Sequence, residues 1–338
     1  MFSFESLHPT VRPYRILRPW LLAAALPLSL AACAGADDTL APAEETATPA
    51  VTVPSEDLAP SGALTTGQRI LFMSYRSSTD PDVYKMTPTG TSVVRLAGPT
   101  QNESYAAWSY DNKRIAMVRM RTNGGVTHAD IYVINADGSN GHWLMPNPIQ
   151  YAMTDPAWAP NGSRVAVRVW LGNVGYLAWV DVATGQAHLF DTGSGAIVGR
   201  EPSYSANGKT IVYVGATDKT IEQINADGSN HKTRYTATTS VHYPALSPDG
   251  TRLAFDRQVG TNYNLEIHVK NLTTGTVTRL TNSAGDDTQP SWSPDGSRIA
   301  FTSGRSGSNQ IWTMSPTGAS LVRLTHTSTG EQNPAWSH

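Results

Sequence analysis

The chain has 338 residues and a nearly balanced charge, with 25 basic and 27 acidic side chains and a formal net charge of −2 at pH 7. This balance excludes the strongly basic surface with which proteins bind nucleic acid, so no nucleic-acid partner is expected. The single cysteine excludes an internal disulfide. The fold must therefore be held together by its core.

The first 32 residues are typical of a secretory signal. Three arginines precede an apolar stretch, residues 20–30, that is too short to span a bilayer. The stretch is followed by Cys33 in the sequence Leu-Ala-Ala-Cys, which resembles a bacterial lipobox. We expect residues 1–32 to be a lipoprotein signal peptide and Cys33 to carry the lipid, with an ordinary Ala-x-Ala cleavage site as the alternative.

Residues 33–66 are predicted to form a lipidated, disordered, acidic and proline-rich tether. After Cys33 the segment contains four prolines and six acidic residues but neither an aromatic nor a basic residue. Such a composition cannot bury enough apolar surface to fold. The expected location is the cell envelope, anchored through the lipid. Because residue 34 is alanine and not aspartate, a Gram-negative cell would hold the protein on the periplasmic side of its outer membrane.

Residues 67–338 contain an apolar triplet that recurs at intervals of 42 to 50 residues. The six copies are Ile70-Leu71-Phe72, Ile115-Ala116-Met117, Val165-Ala166-Val167, Ile211-Val212-Tyr213, Leu253-Ala254-Phe255 and Ile299-Ala300-Phe301. Five of them follow a tight turn such as Ser293-Pro294-Asp295-Gly296, in which proline fixes φ and glycine supplies a positive φ. A pair of one small and one large residue precedes each turn. Each repeat provides four strands, which is the period of a propeller blade.

The two ends of this region complete one blade. The first triplet has no turn motif before it, whereas the last inner-strand motif, residues 333–337, has no triplet after it. The C-terminal strand is therefore predicted to become the innermost strand of the first blade and to close the ring without an exposed edge. The predicted fold is all-β, a six-bladed β-propeller closed by pairing of the C-terminal strand with the N-terminal blade.

The repeat resembles that of a known family. Residues 288–296 read Thr-Gln-Pro-Ser-Trp-Ser-Pro-Asp-Gly, and residues 323–325 read Arg-Leu-Thr. This pattern is similar to the propeller repeat of the TolB family, and the resemblance covers residues 68–338. Members that serve the Tol envelope machinery also have an α/β domain before the propeller, where this sequence has the tether. The resemblance therefore implies the fold rather than the Tol role.

Several residues that suggest chemistry have a simpler structural interpretation. Trp108, Trp158, Trp292 and Trp336 are expected to pack between blades rather than to bind sugar. Residues 135–140 and 225–230 are expected to be hairpin turns and not calcium loops, since the later bidentate glutamate is missing. No hydrolase elbow, zinc helix or phosphate-binding loop occurs. Oligogalacturonate lyases of similar repeat hold a metal through several histidines, whereas here only one histidine maps to an inner strand. We assign no catalytic residue, no metal and no cofactor.

The channel mouth remains as the candidate binding site. The two residues before each proline-equivalent position enter the six inner strands and should converge by symmetry. Those assigned to binding are Tyr105, Asp155, Arg200, Glu201, His242, Tyr243, Gln289 and Asn333. Such a mixture of charges, amides and tyrosines suits recognition of a peptide, a helix end or a glycan. The alternative is a solvated pore rim that binds nothing.

Two functions follow from these observations. The first is a non-catalytic envelope lipoprotein whose propeller binds a protein partner or a cell-wall component. The second is a carbohydrate-active lyase or hydrolase whose site lies in the propeller channel.

Overall fold

The structure, a computed structural model, describes residues 67–77, 79–96, 102–146, 151–193, 195–260 and 263–338. Within these residues it contains 24 β-strands and no helix. The strands form six four-stranded antiparallel sheets. No helix able to cross a membrane is found in this part of the chain. The predicted six-bladed propeller is confirmed, while the predictions on Cys33 and on residues 1–66 lie outside the described residues.

Each blade runs from an inner strand at the channel to an outer strand at the rim. Blade 1 consists of β24 (Glu331–Trp336), β1 (Ile70–Ser74), β2 (Asp82–Met86) and β3 (Val94–Arg95). Blade 2 consists of β4 (Glu103–Trp108), β5 (Arg114–Asn123), β6 (Val126–Asn135) and β7 (His142–Trp143). Blade 3 consists of β8 (Met153–Trp158), β9 (Arg164–Leu171), β10 (Val174–Asp181) and β11 (Ala187–Leu189). Blade 4 consists of β12 (Gly199–Tyr204), β13 (Thr210–Gly215), β14 (Thr220–Asn225) and β15 (Lys232–Thr236). Blade 5 consists of β16 (Val241–Leu246), β17 (Arg252–Val259), β18 (Asn264–Asn271) and β19 (Val277–Arg279). Blade 6 consists of β20 (Asp287–Trp292), β21 (Ile299–Ser303), β22 (Gln310–Met314) and β23 (Val322–Arg323).

Blade 1 closes the ring as predicted. Its inner strand β24 comes from the end of the chain and pairs antiparallel with β1, with Ile70 opposite Trp336 and Ser74 opposite Glu331. Beyond the strands, the Arg69 backbone N–H donates to Ser337 Oγ at 2.8 Å. The second strand of the blade is thereby covered along its inner edge, so no unpaired edge faces the channel.

The core lies between neighbouring blades. The apolar triplets on the second strands are buried, and the tryptophans of the inner strands pack against the blade before them. Trp108 of blade 2 belongs to the same hydrophobic cluster as Leu71 of blade 1, and Trp158 of blade 3 to the same cluster as Val133 of blade 2. The expected packing role of the tryptophans is confirmed. This arrangement fixes the radial position of each inner strand.

The Asp-Gly segments are turns, as expected. In residues 135–140 the Asn135 N–H donates to the Ser139 carbonyl oxygen at 2.8 Å, and Asp137 Oδ1 accepts from Ser139 N at 2.9 Å. The second copy, residues 225–230, has the same two bonds. The carboxylates are therefore occupied in closing their own turns.

Candidate functional site

The six inner strands surround a central channel with a cavity of about 460 Å³. Equivalent residues of the six blades form successive rings along its wall. The ring nearest the start of the inner strands, here called the bulge ring, comprises Tyr105, Asp155, Glu201, Tyr243, Gln289 and Asn333. Rings of proline, of small residues and of tryptophan or other large residues follow along the strands. The structure therefore brings six of the eight predicted binding residues together on the channel wall.

The bulge ring is formed by an irregularity that is repeated in every blade. In blade 2, Ser104 lies opposite Val118 and Ala107 opposite Ala116, so the inner strand carries one extra residue, a β-bulge. The bulge residue has positive φ, between 48° and 60°, in all six blades. Side chains other than glycine adopt this conformation rarely, and a following proline, present in five blades, normally keeps the preceding residue extended. Backbone strain of this kind is typical of functional sites.

Side chains of the bulge ring bind the backbone of the next blade. Glu201 Oε2 accepts the Tyr243 N–H at 2.6 Å, and Gln289 Oε1 accepts the Asn333 N–H at 2.9 Å. Asp155 Oδ2 lies 3.4 Å from the Glu201 N–H. These bonds hold neighbouring bulges in register around the channel.

Two tyrosines meet across the channel. Tyr105 belongs to blade 2 and Tyr243 to blade 5, which are opposite each other in a ring of six. Burial and the Asp155 carboxylate raise the pKa of Tyr105, while a side-chain hydrogen bond with Tyr243 lowers it. Burial also raises the pKa of Tyr243. A contact between residues of opposite blades narrows the channel at the level of the bulge ring.

Arg200 and Glu201 are more buried than residues of a solvated rim. Their side chains are 15% and 10% exposed. Arg200 Nη1 donates to Asp218 Oδ1 at 2.6 Å, and its Nη2 lies 2.8 Å from His242 Nδ1. These two side chains are therefore mostly buried, while their role in binding stays a prediction. They form a charged bridge between blades 4 and 5.

The pKa of His242 reflects its position beside this bridge. Burial lowers the pKa, but the carboxylates of Glu201 and Asp256 raise it by more, so the net shift is upward.

The described residues contain no group of three or more His, Cys, Asp or Glu side chains placed to hold a metal ion.

Sequence reasoning missed two charged residues of this region, Arg168 and Asp256. Both lie on second strands, opposite Thr154 and His242 respectively. Asp256 Oδ2 accepts the Gln289 N–H at 2.9 Å, and burial raises the pKa of its carboxyl to about 6. The equivalent residues in the other four blades are uncharged: Met73, Val118, Val214 and Thr302. A charge directly after the buried triplet, in only two of six repeats, is the signal by which the sequence reveals them.

Asp155 should make the stability of the propeller depend on pH. Burial, with a contribution from Glu201, raises its pKa from 3.8 to about 6, so folding favours the protonated carboxyl. This stabilisation is present in full below about pH 4. As the pH rises through 6 it is lost, and the free energy of unfolding falls by up to roughly 3 kcal/mol. We expect Asp155→Asn to remove the loss, so that the variant is more stable than the wild type at pH 7 but not at pH 4. Urea unfolding at both pH values measures this, and a difference that is independent of pH would contradict it.

The sequence and the fold of this chain match known propellers. Residues 201–338 match the family model described as the TolB beta propeller domain. A Bacillus subtilis (strain 168) protein, the uncharacterized peptidase YuxL, is 36% identical over 107 residues, which are 30% of this chain and 16% of that relative. The chain thus spans a small part of the relative's length.

Two solved structures share the fold. TolB from Acinetobacter baumannii superposes with a TM-score of 0.67 at 17% identity, covering 80% of this chain and 66% of that one. An oligogalacturonate lyase in complex with manganese superposes with a TM-score of 0.51 at 15% identity, covering 77% and 74%. At these identities the likeness concerns the fold alone.

Proposed function

Since the chain carries a six-bladed β-propeller of the TolB type, we propose that it is a non-catalytic binding protein of the cell envelope that captures a segment of a partner protein at the channel mouth. The observation that carries this proposal is the bulge ring. Six strained residues in equivalent positions place amide, carboxylate and phenol groups around one level of the channel. A small number of polar groups that converge in a concave site is characteristic of ligand recognition.

The capture experiment uses Glu201→Gln. The amide keeps an oxygen to accept the Tyr243 N–H, so the fold should persist, but the charge facing the channel is lost. In a pull-down from solubilised membranes with this protein as bait, we expect the variant to recover clearly less partner than the wild type. Its melting temperature should stay close to that of the wild type, since one neutral hydrogen bond replaces a charged one.

Asp227→Asn is the matched control for this experiment. It makes the same change of charge in the same blade but at the opposite end, where Asp227 closes a turn by accepting from Ser229 N at 2.9 Å. It should recover as much partner as the wild type. Equal recovery by Glu201→Gln would place binding elsewhere on the propeller. Recovery of a cell-wall glycan in place of a protein would show that the ligand is the cell-wall component predicted from the sequence as the alternative to a protein partner.

The anchoring part of the proposal depends on Cys33. A lipid on this residue would hold the propeller at the membrane through residues 34–66. We expect Cys33→Ser to release the protein in soluble form and to abolish labelling by a radioactive fatty acid. Label that persists in the variant would rule out lipidation at this cysteine.

A second candidate function is carbohydrate cleavage in the channel. Two observations favour it: the shared fold with an oligogalacturonate lyase, and a pKa of about 6 for Asp155, which would let its carboxyl give up a proton near neutral pH. Incubation with oligogalacturonate, with and without added manganese, tests this. We expect no new chain ends, whereas their release in the wild type but not in Asp155→Asn would establish the enzyme.

A further inference from the structure

Arg168 lies beside the bulge ring and forms no salt bridge with a described residue. It is on β9 opposite Thr154, the residue that precedes Asp155 of the ring. Its Nε is buried and has no hydrogen-bond partner among the described residues. No carboxylate of those residues forms a salt bridge with it, although Asp155 and Glu201 are near enough to raise its pKa against the larger lowering caused by burial.

Two arginines of other blades, at neighbouring but not equivalent positions, are each paired with an acid. Arg119 binds Glu103 in blade 2, and Arg305 binds Asp287 at 2.7 Å in blade 6. In both blades the acid is the first residue of the inner strand, a position that Met153 takes in blade 3. The residue opposite Met153 is Val169, so blade 3 has neither member of this pair, and Arg168 is an additional cation one position earlier on β9.

The neighbours of Arg168 hold its guanidinium in one orientation. The guanidinium carbon lies 3.8 Å from the ring centroid of Trp170, over the face of the indole. On the other side Gly175 leaves the necessary space, because a Cβ there would come within 2.1 Å of Arg168 Nε. A side chain fixed in this way loses little conformational entropy when it binds a ligand.

We infer that Arg168 is the anchor for a carboxylate of the captured segment, an aspartate or glutamate side chain of the partner. This inference rests on the proposed function. A planar guanidinium binds a carboxylate through two parallel N–H bonds, and partial burial strengthens such a pair. The segment would thus be placed by an ionic contact on blade 3 beside the polar groups of the bulge ring.

The probes are two libraries of end-blocked pentapeptides, identical except that one carries Asp and Glu where the other carries Asn and Gln. Retention on the immobilised full chain is measured for each library. We expect the retained amount of the acidic library to exceed that of the neutral library by roughly tenfold or more. Arg168→Gln should abolish the preference, and Arg168→Lys should not restore it, since an ammonium lacks the planar fork.

Arg164→Gln is the matched control. Arg164 is on the same strand at its opposite end and stacks on Trp179 at the same distance of 3.8 Å. It should leave the preference intact. Equal retention of both libraries by the wild type would overturn the role of Arg168 but leave the proposed function standing. Retention of neither library would overturn both.

A measurement on the wild type requires no variant. An arginine-selective dicarbonyl should modify Arg168 faster than the ion-paired Arg119 and Arg305, and the acidic library should protect it. Modification of Arg168 no faster than that of the paired arginines would contradict the inference.

Discussion

Deletion of residues 333–338 is expected to prevent the propeller from folding to a stable ring. The deletion removes most of β24, so that β1 loses its inner partner and exposes an edge that invites aggregation. It also removes Trp336, which packs against Ala300 and Ile311 of blade 6. Truncation of a buried tryptophan alone costs about 3 to 5 kcal/mol, against a total stability of typically about 5 to 15 kcal/mol.

Thermal unfolding and size-exclusion chromatography of the truncated chain measure this loss. The control is removal of His338 alone, which stacks on Tyr110 at 3.6 Å and whose backbone forms hydrogen bonds with the side chain of half-buried Asn112. Its loss should cost only about 1 kcal/mol. If the truncated protein had the same melting temperature as the wild type, β24 would not be the strand that closes the ring.

Arg305→Met is expected to destabilise the propeller by about 3 to 5 kcal/mol, because it leaves a fully buried carboxylate without its cation. Asp287 has no exposed surface, and its Oδ1 has no hydrogen-bond partner among the described residues. Arg305 Nη2 donates to the other oxygen at 2.7 Å, and its Nε donates to Ser303 Oγ at 2.8 Å. Methionine retains much of the volume but none of the charge.

Arg323→Met in the same blade separates the loss of an ion pair from the loss of an arginine. Arg323 Nε donates to the Thr325 carbonyl oxygen at 2.7 Å, and no salt bridge to a described acid is formed. This variant should lose about 1 kcal/mol. Urea unfolding at pH 7 compares the two variants, and equal costs would show that the Asp287 pair does not contribute as inferred. The double variant Asp287→Asn/Arg305→Met should recover part of the loss, since it removes the unpaired charge.

The sequence predicts the fold because the features that define it are local and repeated. Each triplet is a short apolar run, each turn has its own proline and glycine, and the mismatch between the first and last repeats reveals the closure. The bulge ring was placed correctly in the channel for a related reason, since one position per repeat must converge. Its positive φ was not predicted, because residues such as Tyr105 and Glu201 have no local preference for that conformation.

The ion-pair partners of the charged residues could not be predicted in this way. Whether Arg200 is a free rim cation or a buried bridge depends on Asp218 and His242, which lie 18 and 42 residues away in the chain. Arg119 lies opposite Glu103, whereas Arg168 lies opposite Thr154 and has no acid directly across from it. Pairing between side chains on different strands depends on register and burial, neither of which the alternation of residue types specifies.

Ring closure through β24 also sets an order of events in folding. The Arg69 N–H and Ser337 Oγ are joined across 268 residues, a separation that makes this contact late and slow compared with the hairpins inside each blade. Strands β1, β2 and β3 are the first of the propeller to leave the ribosome, yet their sheet lacks its inner strand until β24 has been synthesised. The first blade is therefore completed last, and the ring becomes a cooperative unit only after the other five blades have been made.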